Sequence, residues 1–234
     1  GSPAIRPADF QELNLLGENV SGRTWTDTSG KGNSGIASLT EPFFGAGSVN
    51  FSGTGENAGG QDGLRITDIS NFEMPNGQEW TMECWFYAKS EPTVVATLFG
   101  QWESGGGLDR QVATYIYPSG VIRFYVNKSG SNRSVASSTG TYQTNTWHHV
   151  AFTSYGDTIE AYFDGVSLGT STNTGTIQNS TVDFVIGAEE ATNGSIIYGL
   201  DGYISNFRFV NGTRIYTSNF TPPTTPLTAI SGTE

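Results

Sequence analysis

Apolar and polar residues alternate with a period of two in short segments that recur along most of the chain. In residues 81–87, Met82, Cys84 and Phe86 fall on one face and Trp85 and Tyr87 on the other. Because both faces are apolar, this segment predicts a strand in the interior of a sheet. Further strands are predicted at residues 112–117, 121–126, 147–153, 159–163 and 183–186.

Turn sequences separate these segments. Asp164-Gly165 stands between two predicted strands and, because both residue types tolerate a positive φ, it predicts a two-residue hairpin turn of type I′. Residues 118–120 and 155–157 predict turns between neighbouring strands, so the strands should pair antiparallel in chain order. The segment 7–16 fits either a helical turn or, through its alternating leucines, an N-terminal strand.

A longer alternating segment, residues 202–211, predicts the strand that closes a sheet. Tyr203, Ser205, Phe207 and Phe209 should face one way, and Ile204, Asn206 and Arg208 the other. Prolines then recur up to Leu227. Since proline cannot donate to a sheet ladder, we expect this ending to form an extended arm that covers a sheet edge.

The composition agrees with one turn-rich β domain. Only 35% of the 234 residues are hydrophobic and 14% are charged, while 31 glycines separate the apolar runs and 12% aromatic residues supply a core. We expect residues 13–227 to form a single domain, residues 1–12 to be an expression scar with a lead-in, and residues 228–234 to be a C-terminal tail.

Charge and cysteine content exclude several classes of partner. The net charge of −11, with no basic cluster, disfavours binding to nucleic acid or to an anionic membrane. No apolar run approaches the roughly 20 residues that span a bilayer, so membrane insertion is not expected. Cys84 is the single cysteine, which excludes an internal disulfide framework and a cysteine metal cluster.

Six phrases stand in order along the chain, at residues 26–33, 48–53, 80–86, 146–151, 159–165 and 200–208. Thr146-Trp-His-His-Val-Ala151, for example, is similar to a W-H-H-V-A phrase, and Trp80-Thr-Met-Glu-Cys-Trp-Phe86 resembles F-T-I-E-x-W-V. Together the six resemble the laminin-G-like, concanavalin A-like jelly-roll superfamily, with Ser52 where aspartate is usual. The resemblance implies an all-β, antiparallel, two-sheet jelly-roll sandwich.

The ending at residues 212–227 resembles the tails of such domains in bacteriophage structural proteins. This implies a non-enzymatic, lectin-like adhesion domain on a phage virion or tail, outside the cell, which attaches to host surface polysaccharide through loops at the rim of the sandwich. One alternative is a decoration or assembly domain that contacts other virion proteins. A second alternative is a glycoside hydrolase.

The residues that could carry hydrolysis do not form the expected pattern. Sugar-cleaving relatives place their carboxylates on one strand as Glu-x-Asp-x-x-Glu, and the nearest approximations here are Glu79 to Glu83 and Glu160 to Asp164, the last already explained by its turn. His148 and His149 are adjacent on a strand, so they point to opposite faces and cannot share one proton or metal. The sequence therefore predicts no enzyme.

Calcium is the candidate cofactor, because hard oxygen donors concentrate at residues 56–62, 103–109 and 189–201. The candidate ligands are Asp62, Asp109 and Glu189, with Asn193 as a further donor. The alternative is that these acids are solvated surface residues of an acidic protein.

A glycan site needs an aromatic plane beside polar groups. The candidates, all expected in loops, are Trp102, Asp109, Arg110, Asn193 and Tyr198. Trp102 could instead cover the core, and Tyr198 could pack at an edge strand. A second possibility is a platform on a sheet face made by Tyr115, Tyr117 and Tyr125, although packing between neighbouring strands would also explain these residues.

Overall fold

Two β-sheets packed face to face contain most of the regular structure. The computed structural model describes residues 48–67, 72–74, 77–104, 109–172 and 174–227, together with the backbone of short strands between residues 11 and 36. These residues include no α-helix, and hence no helix long and apolar enough to cross a membrane. The predicted all-β class is confirmed.

In chain order the strands are β1 (Gln11–Leu15), β2 (Val20–Ser21), β3 (Thr24–Thr26), β4 (Ser34–Ile36), β5 (Val49–Ser52), β6 (Leu64–Ile66), β7 (Trp80–Ala88), β8 (Ala96–Ser104), β9 (Arg110–Tyr117), β10 (Val121–Lys128), β11 (Ser131–Ala136), β12 (Trp147–Tyr155), β13 (Thr158–Phe163), β14 (Val166–Thr172), β15 (Phe184–Ile186), β16 (Glu189–Ala191), β17 (Ile196–Ile197) and β18 (Asp201–Asn211). The N-terminal leucines thus belong to a strand.

The seven-stranded sheet has the order β1-β18-β7-β12-β13-β14, and β5 pairs with β18 beside β1. The eight-stranded sheet has the order β11-β10-β9-β8-β15-β6, with β16 paired to β8 and β17 paired to β16. All of these pairs are antiparallel except β16 with β8, which is parallel. Strands β2, β3 and β4 form a separate small sheet.

The core lies between the two large sheets and follows the predicted alternation. Met82, Cys84 and Phe86 of β7 are fully buried in it, and the interior position predicted for this strand is confirmed. Aromatic rings of the two sheets contact each other across the core. The ring centroids of Phe99 in β8 and Phe207 in β18, for example, lie 5.2 Å apart. Burial of these side chains is the main favourable contribution to the folding of the sandwich.

The predicted hairpins are present. Asp164 and Gly165 have φ values of 46° and 80°, as a type I′ turn requires. Ser119 and Gly120 carry positive φ between β9 and β10, and Gly156 does so between β12 and β13. Chain-order hairpins therefore build one side of each sheet, out to the edge strands β14 and β11.

The alternation predicted for β18 is wrong beyond Ser205, because the strand contains a β-bulge. Ser205 pairs with Trp85 and Arg208 with Glu83, so β18 advances three residues where β7 advances two. Asn206, with φ of 54°, is the extra residue. The bulge turns Phe207 and Phe209 into the core together with Ile204, and it turns Arg208 outward beside Glu83.

The C-terminal arm, residues 213–227, covers a sheet face rather than the expected edge. Tyr216 and Phe220 stack at 3.6 Å between centroids on the outer face of the seven-stranded sheet, over Tyr162 and His149. The backbone N–H of Phe220 donates to the carbonyl of Gly165 at 2.9 Å. The arm is therefore an integral part of this domain, folded back on its own sheet.

Candidate functional site

The outer face of the eight-stranded sheet carries an aromatic cluster. Along β9, Val112 and Ile116 point into the core while Tyr115 and Tyr117 point outward, because successive strand residues face opposite ways. The neighbouring strands add Trp102 from β8 and Tyr125 from β10. Four aromatic side chains from three adjacent strands thus share one face.

These rings surround a pocket of about 240 Å³. Its wall consists of Val95, Trp102, Ser104, Tyr115, Tyr117, Tyr125, Asn132, Glu189 and Tyr198. Trp102 and Tyr115 are 6% and 5% exposed and form the floor, whereas Tyr117, Tyr125 and Tyr198 are half-buried, so part of each residue is open to solvent. The combination of aromatic planes and hydroxyl groups suits a ligand with both apolar and polar faces.

The rings are held by edge contacts. The ring centroids of Tyr115 and Trp102 lie 6.5 Å apart, with an angle of 88° between the ring planes. Those of Tyr115 and Tyr125 lie 5.7 Å apart, with an angle of 73°. Tyr125 in turn lies 5.6 Å from Trp102. Edge-to-face packing of this kind fixes the orientation of each ring without filling the space in front of it, so the pocket is preformed.

Glu189 brings a carboxyl group to the wall of the pocket. The residue begins β16 and is only 2% exposed, and its Oε2 accepts a hydrogen bond from the Tyr115 hydroxyl. Its Oε1 has no hydrogen-bond partner among the described residues. Burial raises the pKa of Glu189 to about 7, although the Ser104 and Tyr115 hydroxyls and the Arg110 charge act in the opposite direction.

Two arginines flank the cluster without lining the pocket. The Arg110 guanidinium lies 5.2 Å from the Trp102 ring, and its Nε donates to the Glu103 carbonyl at 3.0 Å. Arg123 lies over Tyr117 and Tyr125 at 5.5 Å and 5.8 Å, and it donates to the Tyr125 hydroxyl at 2.9 Å. Both side chains support the aromatic rings from outside the wall.

The structure brings together only some of the residues suggested by the sequence. Trp102, Tyr198 and Glu189 meet at the pocket, and Arg110 contacts it through Trp102. The expectation that these residues lie in loops is wrong for Trp102 and Arg110, which belong to strands β8 and β9.

Asp109 and Asn193 do not line the pocket. Asp109 accepts hydrogen bonds from Thr181, and Asn193 accepts one from the Ser195 backbone at 3.0 Å. Both side chains stabilise loops where the sequence suggested ligand contacts.

The predicted calcium ligands are not grouped. Asp62 accepts a hydrogen bond from the Ser52 backbone at 3.0 Å, Asp109 binds Thr181, and Glu189 binds Tyr115. Across the described ranges, no three His, Cys, Asp or Glu side chains are placed to hold one metal ion. Asp62, Asp109 and Glu189 therefore do not fit a shared calcium ion, and whether the chain binds calcium stays a prediction.

Tyr115, Tyr117 and Tyr125 share one sheet face and also pack against one another across neighbouring strands, so both interpretations of these residues agree with the structure, but the sequence does not predict their union with Trp102 and Tyr198. The signal lay in the alternation itself, since it placed tyrosines on the outer face of two strands joined by the turn at 118–120. The sequence does not show the order of the strands in the sheet. Only the pairing of β8 with β9 adds Trp102 to the same face.

The carboxylates considered for hydrolysis lie on the other sheet, beneath the arm. Glu83 is fully buried between Arg208, His149 and Tyr216. Glu160 forms an ion pair with Arg214, and Asp164 accepts from the His149 backbone at 2.7 Å. His148 packs against Phe163 while His149 packs under Phe220, so the predicted opposite orientation is confirmed.

Comparison with known families and structures places this geometry in context. A sequence model of the concanavalin A-like lectin/glucanases superfamily (Laminin_G_3) matches residues 58–218, more than half of the chain. A search among curated proteins finds no significant match.

Several solved structures share the fold at low sequence identity. The CBM40 module of a Ruminococcus gnavus IT-sialidase, bound to α2,3-sialyllactose, is 15% identical with a TM-score of 0.56, over 73% of this chain and 95% of that one. Domain 4 of a GH43 extracellular arabinanase from Geobacillus stearothermophilus, in complex with arabinotriose, is 18% identical with a TM-score of 0.55, over 87% and 93%. Botulinum neurotoxin type C, whose cell entry depends on two ganglioside molecules, is 15% identical with a TM-score of 0.59, over 88% and 49%.

Proposed function

The chain belongs to the concanavalin A-like lectin/glucanases superfamily, and from that premise we propose that it is a non-enzymatic glycan-binding domain. The observation that carries the proposal is the aromatic pocket on the eight-stranded sheet. Tyr117 and Tyr125 offer half-buried rings to the apolar face of a sugar, and the hydroxyls of Tyr198 and Ser104 lie in the same wall.

The carboxyl content of the wall supports binding without cleavage. Hydrolysis of a glycosidic bond by the usual route needs two carboxyl groups about 5–10 Å apart. Among the nine described residues that line the pocket, Glu189 supplies the single carboxyl. The solved structures of similar fold include modules recorded with sialyllactose and arabinotriose, which supports a carbohydrate ligand as the class to test first.

A glycan array probed with the purified chain, with and without calcium, tests this function. We expect binding to at least one class of sugar, and loss of about fivefold in affinity for Tyr117→Ala, because removing a stacking ring costs roughly 1 kcal/mol. Tyr87→Ala is the matched control, since Tyr87 is a half-buried tyrosine on the opposite sheet.

Silence of the array in both conditions would refute the proposal. Equal loss in Tyr117→Ala and Tyr87→Ala would refute the assignment to this pocket. Release of reducing sugar that vanishes in Glu189→Gln would show that the domain is an enzyme.

The setting we propose is the surface of a phage virion or tail, with host polysaccharide as the ligand. The support is the resemblance of residues 212–227 to phage structural proteins. The arm packs on its own sheet, which weakens the alternative that it docks on another virion protein. Antibodies raised against the domain should label intact particles and block their adsorption; labelling without any effect on adsorption would favour a decorating role.

A further inference from the structure

The wall of the pocket has an uneven distribution of charge. None of its nine described lining residues is Lys, Arg or His, and Glu189 is the only one among them whose ionisation near neutral pH gives the wall a formal charge. The guanidinium groups of Arg110 and Arg123 lie over aromatic rings instead, from where the Arg110 charge lowers the pKa of Glu189 and Arg123 donates to the Tyr125 hydroxyl. A ligand that enters the pocket therefore meets a carboxyl group in the wall and no basic side chain among the described lining residues.

The carboxyl group of Glu189 is also incompletely satisfied. Tyr115 donates to Oε2 and the Ser104 hydroxyl is near enough to lower the pKa of the carboxyl, whereas no hydrogen bond of regular geometry reaches Oε1 among the described residues although Glu189 is only 2% exposed. A buried oxygen without a donor is costly, and a ligand hydroxyl that supplies one recovers that cost. The tyrosines beside it stay protonated, because burial raises the pKa of Tyr115 and of Tyr198, and the Glu189 charge raises them further.

On the basis of the proposed glycan-binding function, we propose that the pocket selects uncharged sugars over acidic ones, and that Glu189 determines this specificity. A ring hydroxyl of a neutral sugar donates to the Glu189 carboxylate, and a bond to a charged acceptor is about twice as strong as a neutral one. A uronic or sialic acid instead brings a second negative charge to a partly desolvated wall. The repulsion between two such charges reduces affinity by ~10-fold or more.

This inference separates the chain from one of its structural neighbours. The Ruminococcus gnavus module is recorded with sialyllactose, an acidic sugar, on the same fold. A preference of this chain for neutral sugars would come from the side chains of the pocket wall, because a fold by itself does not determine a ligand.

The experiment uses matched neutral and acidic ligands at pH 8.0, where Glu189 is ionised. Galactose- and glucose-terminated oligosaccharides are compared with the corresponding galacturonic, glucuronic and sialylated forms by calorimetry or on an array. The wild-type chain is expected to bind the neutral member ~10-fold or more tightly. Glu189→Gln, which keeps the shape of the side chain, is expected to reduce this ratio to about threefold or less by weakening neutral and improving acidic binding.

Glu73→Gln is the control, because Glu73 is an exposed carboxylate that precedes β7, and it should leave the ratio unchanged. Equal or tighter binding of acidic sugars by the wild-type chain would overturn the inference, whatever the stability of the variant. So would selectivity that disappears on chelation of calcium, because Glu189 would then act through an ion.

The two proposals fail differently. Binding that depends on Tyr117 but ignores the charge of the sugar refutes only the role of Glu189. Absence of binding to every sugar refutes the glycan-binding function and this inference with it.

Discussion

The buried carboxylate beneath the arm allows a quantitative prediction about stability. Glu83 is fully buried, and its oxygens accept hydrogen bonds from Arg208, from His149 at 3.0 Å and from the Tyr216 hydroxyl at 2.7 Å. Burial acts to raise the pKa of Glu83, but the Arg208 charge, followed by the contacts with His149 and Tyr216, lowers it from 4.5 to about 2. That change corresponds to about 3 kcal/mol of folding free energy.

The sign of the pH dependence follows from the lowered pKa. The folded chain holds the charged form of Glu83 more tightly than the unfolded chain does, so the contribution is fully present above pH 4.5 and is lost as the pH falls towards 2. Glu83→Gln removes the charge and leaves Arg208 buried without its anion. At pH 7 we expect the free energy of unfolding to fall by about 3–5 kcal/mol, the range for breaking a buried ion pair.

Urea unfolding followed by tryptophan fluorescence measures this effect at pH 7.0 and at several values down to 2.5. The difference in free energy of unfolding between the wild-type chain and Glu83→Gln should become smaller as the pH falls from 7.0 to 2.5. The control variant Glu73→Gln should change this free energy by no more than about 0.5 kcal/mol. The double variant Glu83→Gln/Arg208→Met should recover part of the loss. A loss below about 1 kcal/mol at pH 7, or a difference that stays constant down to pH 2.5, would refute the reasoning.

Three further predictions concern the arm, the core and the cysteine. Gly165→Ala should destabilise the chain by at least about 2 kcal/mol more than Gly156→Ala, and it should speed proteolysis of the arm. The reason is that a Cβ at Gly165 would lie 1.9 Å from the Phe220 carbonyl oxygen, whereas a Cβ at Gly156 meets nothing within 4 Å. Equal effects of the two variants would contradict this. Phe207→Ala should lower the free energy of unfolding by about 3–5 kcal/mol in urea titrations, and a loss under about 1 kcal/mol would show that the bulge does not place this ring in the core. Cys84 should react with a thiol reagent only after unfolding, because burial raises the pKa of this fully buried thiol; rapid reaction of the native chain would be inconsistent with its position in β7.

The fold class, the main strands and the hairpins could be predicted because period-two alternation and turn chemistry are local properties of the sequence. The face assignments in β18 failed at Asn206, since a bulge depends on the pairing with β7 and leaves no signature in the alternation itself. The arm was recognised from its prolines. Its position on a face could not be predicted, because it depends on Tyr216 and Phe220 finding Tyr162 and His149 on other strands.

The candidate site shows the same limit. Trp102, Tyr198 and Glu189 were selected for their chemistry, yet the sequence could not show that strand pairing joins them to Tyr115. Asp109 carries equally suitable chemistry, but it binds Thr181 and does not line the pocket. The chemistry of the side chains indicates which residues could bind a ligand, but the order of the strands determines which of those residues lie together at the pocket.

The arm also determines how the domain would respond to mechanical force. A pull applied near Leu227 would first reach its backbone hydrogen bond to the Asn206 side chain, then the contacts of Phe220, and then those of Tyr216 with Glu83. These contacts would break one after another, by peeling, before the load fell on the backbone hydrogen bonds of β18, which is paired on both sides within its sheet. The aromatic pocket lies on the opposite sheet, so a tether that begins to yield at this end of the chain would leave the ligand in place.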